Sequence, residues 1–326
     1  MGTNIKKKVL FLGVGLYNYD TLVLNELSKN YDVSYIYLAP IQNLPKWKYS
    51  LLVHLKRFES LRKKNEELIM QELKNVRHVD FDYIFVIKGS RLNNDHISFI
   101  KANFPKAKRI LYLWDSWRRI ENQSVLTGNF DCVYSFDTED CKRYGFILRP
   151  LFYSVCEYDN RDKLYDISFV GTIHSDRLEK IRMIRDLCLK NHFSYFLRLK
   201  TTGFPILCAW LNRGRYKRGD LEFLTSHFLT FEQAMGVTRS SKLVIDFQHP
   251  DQSGLTIRTI EALAMGCKLI TTNKYIKQYC DIPQESYYVL EDYNLDSLCD
   301  FIRNSENNSK LPINYSLTSF LSDIIS

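Results

Sequence analysis

Short apolar runs alternate with longer amphipathic stretches along almost the whole chain. In the first half, Val9–Leu12, Val33–Leu38, Tyr83–Ile87, Arg109–Leu113 and Cys132–Phe136 have the length and residue types of strands. Between them, Asp20–Lys29, Pro45–Asn75 and Asn94–Asn103 predict helices. The pattern restarts with a strand at Ile167–Val170, a helix at Ser175–Lys190, a strand at Tyr195–Leu199 and a helix at Thr230–Arg239. Strand Leu243–Phe247, helix Ile257–Met265 and strands Lys268–Thr271 and Ser286–Leu290 complete it. Strands spaced by helices imply βαβ units and parallel sheets covered on both faces.

Between Pro150 and Asp166 the periodicity is lost, which predicts a boundary and two α/β domains, 1–158 and 159–326. A short apolar helix pattern after Pro312 suits either domain and is counted with the second. Two open parallel sheets in tandem predict a cleft at their carboxyl ends, where such sheets take ligands. The chain has 326 residues, 45% of them hydrophobic and 25% charged, as a folded globular protein requires.

The net charge of +8 fits an anionic ligand, an anionic membrane face or nucleic acid without choosing among them. Nucleic acid is the weakest of these, because the aromatic residues are not interleaved with the basic ones as stacking platforms. Lys46, Lys48, Lys56, Arg57, Arg62, Lys63 and Lys64 crowd a region that also holds Trp47, Leu51, Leu52, Leu55 and Phe58. It reads either as a solvated helix face or as a segment lying on an anionic membrane. The start of the chain has neither a signal-peptide nor a myristoylation pattern, and no run spans a bilayer. The eight cysteines are scattered without a C-x-x-C, predicting neither a disulfide framework nor a zinc site. The expected location is cytoplasmic, or peripheral on the inner membrane.

Four places hold candidate chemistry. Gly13-Val-Gly15 follows the first strand, where glycines permit a sharp turn or close approach to a ligand. A nicotinamide site is disfavoured there: Asn18 stands where a third glycine is needed, and the second strand ends without an acid. Trp114-Asp115-Ser116-Trp117 follows another strand. Asp115 reads either as a general base at the sheet's carboxyl end or as the cap of the next helix, with the tryptophans as sugar platforms or as packing.

Phe169-Val-Gly171-Thr172-Ile-His174-Ser-Asp-Arg177 repeats the strand-glycine-helix device, with Arg177 able to pair with a diphosphate. The longest candidate runs from Asp246 to Ile270. Ser253-Gly254 is expected to open a helix near Leu255 whose free N–H groups suit a phosphate, and Glu261 stands two turns on, where a carboxylate can accept both hydroxyls of a ribose. An ordinary capped helix, with Glu261 solvated or paired with a base, is the plain alternative.

The run GLTIRTIEALAMGCKLITTN resembles the nucleotide-sugar segment of group 1 type glycosyltransferases of the GT-B fold, which pairs two Rossmann-like domains. Glu261 matches the second glutamate of their E-x7-E pair, while the first falls on Ser253. WDSW at Trp114, YSFDTEDCKRYG at Tyr134, YDISFVGTIHSDR at Tyr165 and QSGLTIRTIEA at Gln252 are similar to a CgeB-like bacterial surface-polysaccharide branch. The resemblance implies transfer of a sugar from a nucleotide-sugar to a lipid-linked or lipopolysaccharide or capsular saccharide, without metal or other cofactor. On that reading Glu261 binds the ribose, and Ser253, Gly254, Leu255 and Thr256 bind the phosphates. Gly171 and Thr172 border the donor, while Arg177 and Arg258 neutralise the leaving diphosphate. Gly13 and Gly15 lie in a loop near donor or acceptor. Asp115 is the candidate base if the reaction inverts, with Asp20 and His174 behind it. A non-catalytic nucleotide-sugar-binding scaffold of a membrane assembly complex is the alternative.

Overall fold

The structure, a computed structural model, describes residues 6–15, 18–40, 58–154, 163–173, 176–201, 216–290, 295–304 and 311–325. The chain divides into two compact units. Unit 1 comprises Met1–Pro150, Asp251–Gly254 and Ser316–Ser326, and unit 2 comprises Leu151–Pro250 and Leu255–Tyr315. The expected boundary at 158/159 lies outside the described residues. Elements are numbered over the described residues only.

In unit 1, β1 (Lys8–Gly13), β2 (Asp32–Tyr37), β3 (Tyr83–Ile87), β4 (Lys108–Leu113), β5 (Cys132–Ser135) and β6 (Ile147–Leu148) form a parallel sheet of order β2-β1-β3-β4-β5-β6. Its helices are α1 (Tyr19–Asn30), α2 (Phe58–Asn75), α3 (Asn94–Asn103), α4 (Gln123–Leu126), α5 (Thr138–Tyr144) and, from the far end of the chain, α10 (Leu317–Ile324). The central strands are apolar throughout because both sheet faces are covered. Leu10, Leu12, Ile84, Val86, Leu111 and Leu113 pack with Ile69 and Leu73 of α2 and Ile97 and Ile100 of α3. Phe11 stacks on Phe85, and Tyr112 meets Phe320 of α10 edge-on at 4.8 Å.

Unit 2 holds β7 (Tyr165–Thr172), α6 (Arg177–Asn191), β8 (Tyr195–Lys200), β9 (Leu224–Thr225), α7 (Phe231–Arg239), β10 (Ser241–Asp246), α8 (Ile257–Ala264), β11 (Lys268–Thr271), β12 (Tyr287–Val289) and α9 (Leu295–Arg303). Its parallel sheet has the order β12-β11-β10-β7-β8-β9. Ile167, Phe169, Leu197, Leu243 and Ile245 form the core with Leu178, Ile181 and Ile184 of α6 and Leu298 and Ile302 of α9.

Strand order reverses between β1 and β3 in unit 1 and between β7 and β10 in unit 2. Open sheets bind ligands at the carboxyl ends beside such reversals.

Three expectations change. The last helix belongs to unit 1: Phe320, Leu321 and Ile324 are buried, and the Asp323 carboxylate pairs with buried Arg149 at 2.8 Å. The helix expected near Leu255 starts at Ile257, capped by Thr256. Strands β6 and β9, two residues each, carry too little pattern to be predicted.

Candidate functional site

In unit 2, β7 ends Gly171-Thr172 and β10 ends at Asp246, side by side where strand order reverses. Asp246 is buried, and its Oδ2 accepts the hydroxyls of Thr256 at 2.7 Å and Thr259 at 2.8 Å. The strand end therefore holds the first turn of α8 directly. Thr256 also accepts the N–H of Thr259, leaving the N–H groups of Ile257 and Arg258 without partners inside the helix.

Around this end lie two guanidinium groups on one phenyl ring. Arg177 sits 6.0 Å and Arg258 5.5 Å from the Phe169 ring centre, and Arg258 Nη1 lies 3.7 Å from Asp246 Oδ1. Arg177 donates to the carbonyls of Phe247 at 2.8 Å and Thr172 at 3.3 Å, while its buried Nε has no hydrogen-bond partner. Burial and, after it, the neighbouring Arg258 lower Arg177 to about 10, so it stays charged at neutral pH at an electrostatic cost. An anion here relieves that cost and completes the hydrogen bonding. Gly171 is required by the same ring, because a Cβ there would lie 2.6 Å from Phe169 Cζ. Glu261, on the second turn of α8, is only 4% exposed, which excludes a solvated carboxylate.

Ser253 and Gly254 do not open the helix and belong to unit 1. The Ser253 N–H donates to Asp137 Oδ2 at 2.8 Å, and its hydroxyl donates to Asp137 Oδ1 and accepts from the Glu139 N–H. Asp137 also caps α5. A Cβ on Gly254 would strike the Phe136 carbonyl oxygen at 2.1 Å. Both residues thus dock the chain, and the Ser253 N–H and hydroxyl are engaged within the protein. Leu255 is fully buried, and the Thr256 hydroxyl donates to Asp246.

In unit 1, the Gly13-Val-Gly15 turn closes on Asp20. Asp20 Oδ2 accepts the Gly15 N–H and the Tyr35 hydroxyl, each at 2.8 Å, which fills the role of an internal anchor. Asp115 does not cap the next turn. That turn, Trp117–Arg119, starts after Ser116, and the Asp115 carboxylate pairs with Lys88 Nζ at 2.6 Å. Trp114 packs on Tyr19 and Tyr112, and Trp117 on Tyr144 and Phe146. His174 lies outside the described residues.

Sequence reasoning passed over three residues: Lys88, Asp137 and the anchoring role of Asp246. Only Asp246 had a local signal, an acid at a strand end followed by two threonines at helical spacing.

An Asp-x-Asp triplet, Asp80–Asp82, immediately precedes β3, with Asp82 accepting the Lys8 N–H at the amino edge of the sheet. No cluster of three or more metal-ligating side chains occurs among the described residues. Of the basic segment, Lys46, Lys48, Lys56 and Arg57 lie outside the described residues. Arg62, Lys63 and Lys64 are solvated on α2 and face Glu66, Glu59 and Glu67. Among the described residues no helix is long and apolar enough to cross a membrane.

No family model and no curated protein matches the sequence. Solved structures do match along nearly the full length. The OtsA apo structure superposes with a TM-score of 0.57 at 9% identity, covering 98% of each chain. Sucrose-phosphate synthase from Thermosynechococcus elongatus gives 0.55 at 13% identity, covering 92% of this chain and 89% of that one. The Methanocaldococcus jannaschii UDP-GlcNAc 2-epimerase, in complex with UDP-GlcNAc and UDP, gives 0.52 at 11% identity over 98% and 99%. The chain has the GT-B fold. Within this GT-B chain, the Arg177–Arg258–Asp246 constellation occupies the carboxyl edge of unit 2, and the Lys88–Asp115 pair that of unit 1.

Proposed function

We propose that this chain is a glycosyltransferase that moves a sugar from a nucleotide-sugar to a saccharide acceptor. The observation that carries the reading is the pair of guanidinium groups on Phe169, one with an unpartnered buried Nε, beside the Asp246-anchored start of α8. Charge on a departing diphosphate is the largest electrostatic demand of glycosyl transfer, and fixed cations in a half-buried site meet it. Gly171, Thr172, Arg177, Arg258 and the first turn of α8 form the donor diphosphate site, and Glu261 takes the ribose hydroxyls. Asp115 takes the acceptor's proton in an inverting reaction. UDP-GlcNAc and UDP, the ligands of the M. jannaschii epimerase, are the natural first probes.

The WDSW, YDISFVGTIHSDR and QSGLTIRTIEA segments support the finer reading of a CgeB-like enzyme acting on a lipopolysaccharide or capsular precursor. Peripheral contact with an anionic membrane, through the segment that includes Lys46, Lys48, Lys56 and Arg57, belongs to the same reading. Sedimentation with anionic vesicles tests it.

A thermal-shift screen with UDP-, GDP-, ADP-, dTDP- and CMP-sugars, followed by a transfer assay, tests the central proposal. One nucleotide should stabilise the protein selectively and support transfer that Glu261→Ala abolishes. Full turnover in that variant removes the site assignment. Ser253, standing where E-x7-E enzymes carry a glutamate and engaged with Asp137, favours the scaffold reading, which binding without turnover would identify.

A further inference from the structure

Lys88 stands one residue beyond β3 and continues the ladder, its N–H donating to the Tyr112 carbonyl at 2.8 Å. There the backbone turns left-handed, with φ of 69° at Lys88 and 65° at Gly89. Such a backbone crowds the Cβ of any residue but glycine. Among the described residues the other non-glycine positions of this kind are Asn122 and His192, which flank helix ends. Lys88 instead ends a strand beside the point where the sheet order reverses, and strain kept in such a place points to a use for the side chain.

The side chain lands on Asp115. Nζ lies 2.6 Å from Oδ2, with the two side chains 26% and 22% exposed, and Gln252 Nε2 donates to Oδ1 at 3.4 Å. Both carboxylate oxygens are therefore held from different directions. Trp114, between the Tyr19 and Tyr112 rings, fixes the backbone immediately before Asp115.

We infer that Lys88 is a positioning residue, whose ammonium holds the Asp115 carboxylate in one rotamer for its work as a base. The catalytic sense of this assignment rests on the proposed glycosyl transfer. In that step the acceptor oxygen bonds to the anomeric carbon, and the bond from that carbon to the diphosphate oxygen breaks. The hydroxyl proton passes to Asp115.

The test uses the full-length protein with Lys88→Gly, Lys88→Met and Lys88→Arg. Lys88→Gly relieves the left-handed backbone, so Tm should stay at or above the wild-type value. Its crystal structure should show Asp115 in a different rotamer. In transfer assays kcat should fall at least tenfold with donor KM unchanged, and Lys88→Arg should recover part of the loss. An unchanged Asp115 rotamer in Lys88→Gly overturns the inference, as does wild-type kcat in both Lys88→Gly and Lys88→Met. If the wild type moves no sugar from any donor, the functional reading fails, while the rotamer comparison still decides whether Lys88 positions Asp115.

Discussion

Two guanidinium groups sharing one phenyl ring repel each other, and Asp246 offsets only part of that repulsion because its Oδ2 is taken by two threonines. Removing one arginine should therefore relieve the ligand-free protein while harming the site. Arg258→Ala should leave Tm unchanged or raised and weaken nucleotide-sugar binding by about 10–100-fold, the worth of one charge-assisted hydrogen bond. Parallel calorimetric titration and thermal melts check both halves. A second prediction concerns the Gly15 turn, where φ is 67° and a Cβ would lie 2.5 Å from the Tyr37 ring. Gly15→Ala should cost about 1–3 kcal/mol, read from urea unfolding. The glycines were legible as a turn from the sequence. What closes the turn, Asp20 folding back on the Gly15 N–H, was not, because Asp20 reads equally well as a free acid.

Elements were legible where their pattern was continuous and ambiguous where a distant partner decided. Strands β1, β3, β4 and β5 stand within a residue of expectation because unbroken apolar runs of strand length leave no other reading in this context. Ser253-Gly254 looks like a helix opening, yet its partner is Asp137, 116 positions away, and no local pattern exposes that. Helix α3 shows a further device invisible to periodicity. Asn93 and His96 form a reciprocal cap, with Asn93 accepting the His96 N–H and His96 Nδ1 accepting the Asn93 N–H at 3.1 Å. Nε2 of the same buried ring meets the Glu66 carbonyl of α2 at 2.8 Å.

Burial, as the leading cause, lowers the His96 pKa from 6.5. The unfolded chain therefore takes up a proton below about pH 6.5 that the folded chain refuses. Stability should fall as pH drops through that value and level off below the folded-state pKa. Urea midpoints between pH 5 and 8 measure this slope, and His96→Leu should flatten it.

At the scale of the molecule, the sequence displayed two α/β halves, but not that the chain leaves unit 1 at Pro150 and returns to it twice. The last return brings α10, whose pattern is too short to choose a partner. Its anchors are specific: the Phe320 ring on Tyr112, Arg149 pairing with Asp323, and the Tyr31 hydroxyl donating to the Ile325 carbonyl at 3.0 Å. Deleting residues 316–326 should uncover Tyr112 and leave the buried Arg149 without its carboxylate. Unit 1 should then melt well below unit 2, giving two calorimetric transitions where unit 1 is the earlier. Asp323→Asn alone should cost about 1–3 kcal/mol, since Arg149 loses its charged partner.

The return of α10 to unit 1 also sets a timetable. On the ribosome, strands β1 to β6 emerge before unit 2, yet the segment that carries α10 and covers Tyr112 begins only at Ser316, 166 residues after Pro150. At ordinary elongation rates that interval is roughly 8–30 s. Throughout it, the nascent unit 1 presents an uncovered aromatic face, while every segment of unit 2 is translated before α10 arrives. Completion of unit 1 thus waits on a segment translated after the whole of unit 2, and a premature stop before Ser316 would release a chain whose unit 1 is the part left open.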